Sequence, residues 1–552
     1  PLAEMVVGGF RATLLILMGA VGMLLLIACG NVANMLLARA TAREKEIAVR
    51  VSMGATRWRL IQQFLTESML LAVAGALLGC GIAWAGIRIL VPNLPPNTIP
   101  DEAVIRLNPQ VLFFTLAVAV ATALIFGLAP AAQSARASLA ETLKDTGKGV
   151  SGGYRRGRLR SALVVAEVML SFVLLVGAGL LMRSFFALMQ VDLGFNASNI
   201  LVARIPLPEG QYKTVEQKRQ FFRELLARLE SKPGIVAATE TSTLPPYGGW
   251  GTDIDIPGKT HAEKWNALGQ LVSEHYNTTL GFRMLRGRFL NAVEVNEARR
   301  VTVINQALAK KYFGSDNPIG QHLTFNALKV VPQPPVTDAT FEIVGVISDA
   351  KNRGLQDPAM PEFFVPYTVT AFAERGILVR TSGDPDRMLN TVRKEIGALD
   401  SNVAIALTGS LESYLKKFSY SGPRFGLILL ATFAATGLVL AAIGVYSVLA
   451  YSVSRQTHEI GVRVALGAAN RQIMTMVLRS GFRLIGIGLV LGFCASLVVA
   501  RLLTTQIWGV TPYDPLTLAA VTVVLGISGL AACLVPAQRA VGVDPTVALR
   551  YE

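Results

Sequence analysis

Seven blocks of apolar residues, each long enough to cross a bilayer as a helix, constrain this chain more than any other feature. They run approximately over 13–38, 68–91, 110–133, 161–187, 423–450, 480–503 and 515–537. A hydrocarbon core asks for about 20 apolar helical residues. One such block can be the buried helix of a soluble protein; seven in one chain mark membrane spans. Several hold Gly or Pro, which membrane helices tolerate better than soluble ones. The blocks account for a mean hydropathy of +0.46 beside only 16% charged residues. The first is too long for a signal-peptide core and has no Met-initiated basic region before it.

Basic residues orient the spans. Arg39, Arg43, Lys45, Arg50, Arg57 and Arg59 follow the first block, and Arg136, Lys144, Lys148, Arg155, Arg156, Arg158 and Arg160 follow the third. Arg455, Arg463, Arg471 and Arg479 follow the fifth. The opposite short loops, 92–109 and 504–514, hold Arg106 as their only basic residue. The positive-inside rule therefore predicts that the basic loops are cytoplasmic and that residues 188–422 lie outside. A net charge of +15 is then explained by cytoplasmic loops facing anionic membrane lipid. No aromatic–basic interleaving asks for nucleic acid.

The spans carry an internal repeat. Residues 46–55 read EIAVRVSMGA and residues 459–468 read EIGVRVALGA, an offset of 413 with seven of ten positions identical. The same offset carries Gly75 and Gly79 onto Gly488 and Gly492, a small-xxx-small pair that lets helices approach closely. A second echo pairs 128–144 with 534–550, with Pro130 and Leu143 on Pro536 and Leu549. If the first copy is built like the second, symmetry predicts a further span and outer domain ahead of Pro1, giving four spans and one outer domain per copy.

Within the repeat, Glu46 and Arg50 stand at i,i+4, as do Glu459 and Arg463, an order that stabilises a short helix facing water. Val49, Val51 and Met53, with Val462, Val464 and Leu466 in the second copy, add an apolar surface. Gly54 and Gly467 let the chain turn. A helix resting on lipid and a docking helix for a cytoplasmic partner both fit. Two matching copies favour a partner with two like sites, such as a homodimer.

Residues 188–422 read as mixed α/β. Strands are predicted at 200–205, 301–304, 341–347, 377–380 and 403–407. Thr214 and Gln217 form a capping-box pattern for a helix to about Ser231, with Phe221, Phe222, Leu225, Leu226 and Leu229 on one stripe. Further helices are expected at 306–313 and from Pro385 to about Leu399. The grammar is that of split βαβ modules. Residues 240–300, rich in Gly, Asn and Thr, read as a loop-rich insertion. Its Thr252, Asp253, Asp255, His261, Glu263, His275 and Tyr276 suggest a polar pocket.

Catalytic and metal chemistry find no foothold. His261, His275, His322 and His458 lack ligand spacing. Cys29, Cys80, Cys494 and Cys533 all fall inside spans, so the outer segment holds together by its own core. No Gly-x-Ser-x-Gly elbow occurs. Gly147-Lys148-Gly149 does not make a phosphate loop, so any ATP dependence comes from another chain. Glu167 is the only acid well inside a span. Intramembrane charges mark ion paths or interhelical contacts, and its place near the cytoplasmic end favours a contact. Arg88 can snorkel to the outer surface.

The EIxVRxxxGA helix, the terminal PA motif, and VTVINQALAKKYFGSDNPIGQHL (301–323) with FEIVGVISDAK (341–351) resemble the FtsX/MacB-like permease family of ABC systems. The doubled core is similar to the large permeases common in acidobacteria. The resemblance spans essentially the whole chain. It implies an α-helical membrane protein with an extracytoplasmic α/β domain of the MacB-like periplasmic kind and a duplicated FtsX-like permease core. Residues 1–150 would hold the last three spans of the first unit plus a cytoplasmic linker. Residues 151–187 would be a linker and the second unit's first span, 188–422 the periplasmic domain, and 423–552 the last three spans of the second unit.

The resemblance also implies an inner-membrane location and a cytoplasmic ABC ATPase dimer as partner, with ATP and Mg bound there and no cofactor in this chain. Coupling to that ATPase would fall to Glu46, Arg50, Gly54, Glu459, Arg463 and Gly467, and helix packing to Gly75, Gly79, Gly488 and Gly492. The function implied is export or mechanotransmission, in which ATPase closure moves the periplasmic domain, with a periplasmic or envelope partner possible. A membrane scaffold that regulates an envelope enzyme is the alternative.

Overall fold

A computed structural model describes residues 2–42, 50, 53, 56–93, 105–134, 151–208, 210–259, 263–330, 336–370, 374–504 and 506–542. The chain divides into two compact units, one of residues 1–187 with 422–552 and the other of residues 188–421.

The first unit is helical. Before the polar segment come α1 (Leu2–Ala42), α2 (Arg57–Leu90), α3 (Pro109–Ser134) and α4 (Ser151–Met189). After it come α8 (Ser421–Arg455), the short α9 (Thr457–Ala465), α10 (Asn470–Leu502) and α11 (Pro515–Val541). Six of these are long and apolar enough to cross a membrane: α1, α2, α4, α8, α10 and α11. The block at 110–133 lies in α3, of which Pro109–Ala121 forms a shorter described apolar stretch.

Helix α4 is the most enclosed of the described spans because three apolar clusters along it pack against α1, α8, α10 and α11. Phe172, Val176 and Leu180 pack with Ala500 of α10 and with Val521 and Leu525 of α11. Leu174 and Ala178 pack with Ala20 and Ile27 of α1 and with Leu430 and Ala434 of α8. Val164 and Val168 pack with Val445 and Leu449 of α8, Ile485 of α10 and Cys533 of α11.

The second unit holds α5 (Val215–Glu230), α6 (Gln306–Phe313), α7 (Leu389–Leu399) and further short helices, on a sheet of eleven described strands. Strands β1 (Ile200–Pro206), β2 (Ile235–Thr241), β10 (Glu374–Thr381) and β11 (Leu407–Ser410) lie in the order β11-β1-β10-β2. With α5 linking β1 to β2 and α7 preceding β11, this is a pair of interlocked split βαβ modules. The capping box closes as expected: Gln217 N donates to Thr214 Oγ1 at 3.2 Å and Thr214 N to Gln217 Oε1 at 3.0 Å. The five apolar residues of the α5 stripe are all buried.

Two expectations need correction. The strand predicted at 403–407 begins only at Leu407, because the backbone of Leu407–Ser410 is what pairs with β1, while Val403 closes a turn onto Asp400. The stretch 240–300 is no loop-rich insertion. It supplies β3 (Trp250–Asp255), β4 (Trp265–Val272) and β5 (Met284–Gly287). Gly269 serves close packing: a Cβ there would sit 2.5 Å from the Trp250 indole and 2.6 Å from the Phe363 ring.

Among the described residues, one ion pair is fully buried in this unit. Arg375 donates to Glu240, with both side chains fully buried, and also to the Thr370 carbonyl at 2.8 Å. A second buried carboxyl, Glu362, accepts from Asn352 at 2.9 Å and from Gln270 at 3.4 Å. Burial pushes its pKa up to about 7 despite those two amides.

Candidate coupling site

The second repeat folds into α9, tucked under the ends of the spans. Ile460 is fully buried against Val453, Ile473, Val477, Ala537 and Ala540, which anchors the helix. On its outer side Arg463 Nη2 donates to Glu459 Oε1 at 2.6 Å, both side chains about half exposed. Such a pair adds only a few tenths of a kcal/mol to the helix, on the order of 0.3–0.5. Its use is orientation, since Arg463 Nη1 also reaches Met476 Sδ of α10 at 2.7 Å.

The helix ends at Ala465 with Leu466 as its cap, and Gly467 turns the chain at φ +90°, a conformation suited to glycine. Gly467 N donates to the Val464 carbonyl at 3.0 Å and Ala468 N to the Arg463 carbonyl at 2.9 Å, satisfying carbonyls of the last turn. Leu466 is left 82% exposed at the tip. Val462 and Val464, expected to widen the apolar surface, are instead half-buried. The large apolar side chain left exposed there is one leucine, beside an oriented arginine.

In the first copy Glu46 and Gly54 lie outside the described residues. Arg50 is described, and its Nη1 donates to Gln63 Oε1 at 2.7 Å. The offset of 413 carries Gln63 onto Met476 and Met53 onto Leu466. Both copies thus aim their arginine at the equivalent position of the following span. Met53, like Leu466, is largely exposed, at 75%. The sequence named the apolar residue types but not this brace.

The glycine pairs diverge. A Cβ at Gly488 would sit 2.7 Å from Val168 Cβ, and one at Gly492 would sit 2.7 Å from Phe172 Cβ. Both glycines therefore let α10 lie against α4. At Gly75 and Gly79 an added Cβ meets nothing within 4 Å among the described residues. The expected packing role for that first pair is not met here, because no described helix stands to α2 as α4 stands to α10.

At the outer end of the spans, Arg183 of α4 pairs with Asp514, which accepts from Thr517 N at 2.8 Å and caps α11. Ser184 Oγ accepts from Trp508 N at 2.7 Å. The 504–514 loop is thereby held to α4, a contact that sequence reading missed because its partners lie more than 300 residues apart.

The outer unit contains an open cavity of about 600 Å³, lined among others by Tyr247, Gly249, Thr252, Asn352, Arg353 and Met360. Of the residues expected to form a pocket, Thr252 lines it. Asp255 instead accepts from Asn326 at 2.7 Å, His275 faces Glu230 at 3.6 Å, Tyr276 is buried, and His261 lies outside the described residues. No cluster of three metal-ligating side chains occurs among the described residues.

Comparison with known proteins covers most of the chain. The family model of the MacB-like periplasmic core domain matches residues 161–399. That of the FtsX-like permease C-terminal region matches twice, over 18–139 and 431–545. The macrolide export ATP-binding/permease protein MacB of Campylobacter jejuni is 27% identical over 60% of this chain and 49% of its own length. The permease YknZ of Bacillus subtilis is 24% identical over 54% of this chain and 74% of its own. The chain spans about half the length of the MacB relatives it matches. Among solved structures, the periplasmic region of MacB from Actinobacillus actinomycetemcomitans aligns over 42% of this chain and 96% of its own, with a TM-score of 0.29 and 14% identity.

Proposed function

Because the chain belongs to the FtsX/MacB-like permease family of ABC systems, we propose that it couples ATP hydrolysis by a partner ATPase to movement of its outer unit. The observation that carries this reading is the pair of matching tips, Met53 and Leu466, each beside an arginine braced on the following span. A dimeric ATPase offers two like grooves, and two like tips suit it. ATP and Mg belong to that partner.

The mechanism follows from rigid connections. ATPase closure presses α9 and its first-copy counterpart. Ile460 and the Arg463–Met476 contact pass the displacement to α8, α10 and α11. The close Gly488 and Gly492 contacts carry it to α4. The chain runs from α4 directly into the outer unit and returns from it into α8, so a shift between these two helices reaches residues 188–422. Coupling of this kind needs an element with two arrangements that both sites bias, here the relation of α4 to α8. Export of a substrate, or activation of an envelope partner, is the output. Replacement of Arg463 by Glu breaks the brace and repels Glu459. It should reduce stimulation of the reconstituted ATPase severalfold while leaving the thermal stability of the permease in place. Unchanged stimulation would overturn the assignment.

A further inference from the structure

One polar cluster interrupts the apolar packing where α1, α4 and α8 meet. Asn34 Nδ2 donates to Glu167 Oε1 at 3.2 Å, and Asn31 Nδ2 donates to the Leu440 carbonyl of α8 at 3.0 Å. All three side chains are buried. Two glycines make room for the carboxyl: a Cβ at Gly30 would sit 2.8 Å from Glu167 Oε1, and one at Gly444 would overlap Oε2. Glu167 Oε2, Asn31 Oδ1 and Asn34 Oδ1 have no hydrogen-bond partner among the described residues. A carboxyl at this depth is costly wherever it goes. The Asn34 amide provides its one hydrogen bond.

The cluster joins the two copies of the repeat. Helix α1 belongs to the first, and α4 and α8 belong to the second. The offset of 413 carries Asn31 onto Gly444 and Asn34 onto Ser447, so α1 and α8 are equivalent helices that differ at these positions. The second copy offers neither amide. Its Ser447 hydroxyl is shorter and already donates to the Gly444 carbonyl of its own helix at 3.0 Å. If the second copies of two chains paired, an α8 would take the place of α1, and Glu167 would face Gly and Ser. A buried polar group left without its partner is a common device against the wrong association.

We infer that Asn34 and Glu167, with Asn31 and the glycines that seat them, make the first copy the partner of the second within one polypeptide and disfavour pairing between second copies of two chains. This concerns assembly and does not rest on the ATPase reading.

The test uses the full chain with a protease site placed within 135–150 and an affinity tag on the first half. The chain is cleaved after folding in mild detergent, and the second half retained on the tag is measured. Wild type should keep its halves together. Asn31→Gly with Asn34→Ser, the second copy's own residues, should release the second half at least tenfold faster, with the melting of the outer unit unchanged. Adding Glu167→Leu to that pair should restore retention, since no carboxyl is then left unmatched. Glu167→Gln alone should behave as wild type, because its amide still accepts from Asn34 and adds an N–H for the orphaned oxygens. Equal retention in wild type and the double variant overturns the inference. So does equal release from the double and triple variants, which would assign the effect to packing. If the double variant does not accumulate in the membrane, the triple variant decides: recovery supports the pairing code and failure overturns it.

Discussion

Leu466 allows the coupling proposal to be put as a number. Its side chain is 82% exposed, so it contributes little to the permease's own stability. Burial of a leucine is worth roughly 1.5–3 kcal/mol. Burying the exposed four-fifths of this one in a partner's groove should therefore stabilise the complex by about 1–2.5 kcal/mol. At about 1.4 kcal/mol per factor of ten, Leu466→Ser should weaken ATPase binding by roughly 5- to 60-fold. Met53→Ser should cost a similar factor by symmetry, and the double variant should lose more than either, since the first contact raises the effective concentration of the second. Ile460→Ser is the contrast. That residue is fully buried under the spans, so its replacement should lower thermal stability as well. The assay is a titration of purified ATPase against the permease in lipid nanodiscs, with affinity read from ATPase stimulation and melting measured in parallel. If Leu466→Ser binds as tightly as wild type, the tip is not buried in the complex and the docking argument fails.

Three further expectations follow from the packing. Arg375→Met leaves the fully buried Glu240 without its partner, which should destabilise the outer unit by roughly 3–5 kcal/mol, with most of that loss recovered in Arg375→Met/Glu240→Leu; chemical denaturation reads both. Glu362 has its folded pKa raised to about 7 from an unfolded value of 4.5, so the folded state holds the extra proton between these pH values. Outer-unit stability should therefore fall by on the order of 2–3 kcal/mol as pH rises from about 5 to 8, and Glu362→Gln should abolish that component; equal pH slopes would refute it. Gly492→Leu must push Phe172 aside, whereas Gly526→Leu meets open space. The first should cost about 1–3 kcal/mol or more and the second little, measured by melting in detergent.

Local patterns carried most of the fold. The Thr214–Gln217 capping box and its apolar stripe are contained within a few turns of one helix, so composition and spacing were enough. The spans were legible because a bilayer imposes one length on them all. Legibility failed where a distant partner decides. Residues 403–407 alternate like a strand, yet the edge of β1 pairs with Leu407–Ser410. Gly249, Gly251 and Gly269 read as loop residues, although Gly269 sits in a strand where the Trp250 and Phe363 rings leave no space for a Cβ. In the coupling site, the Glu459–Arg463 pair follows from i,i+4 spacing. The brace of Arg463 on Met476 depends on the turn at Gly467, and spacing alone does not show it.

The divergence between the two copies has a physical order. Positions that face the cytoplasm are held alike: Arg50 and Arg463 contact equivalent positions of the following helix, and Met53 and Leu466 are both largely exposed. The positions where α1 meets α4 and α8 are held apart, with Asn31 and Asn34 in one copy and Gly444 and Ser447 in the other. A two-fold partner demands like surfaces from both copies, because either tip must fit either groove. A contact between the copies carries no such demand. Once both are on one chain it can become asymmetric, and asymmetry is what distinguishes the right neighbour from a second chain's equivalent helix. On the two proposed readings, the duplication preserves symmetry where a partner would contact it and loses symmetry where the copies contact each other.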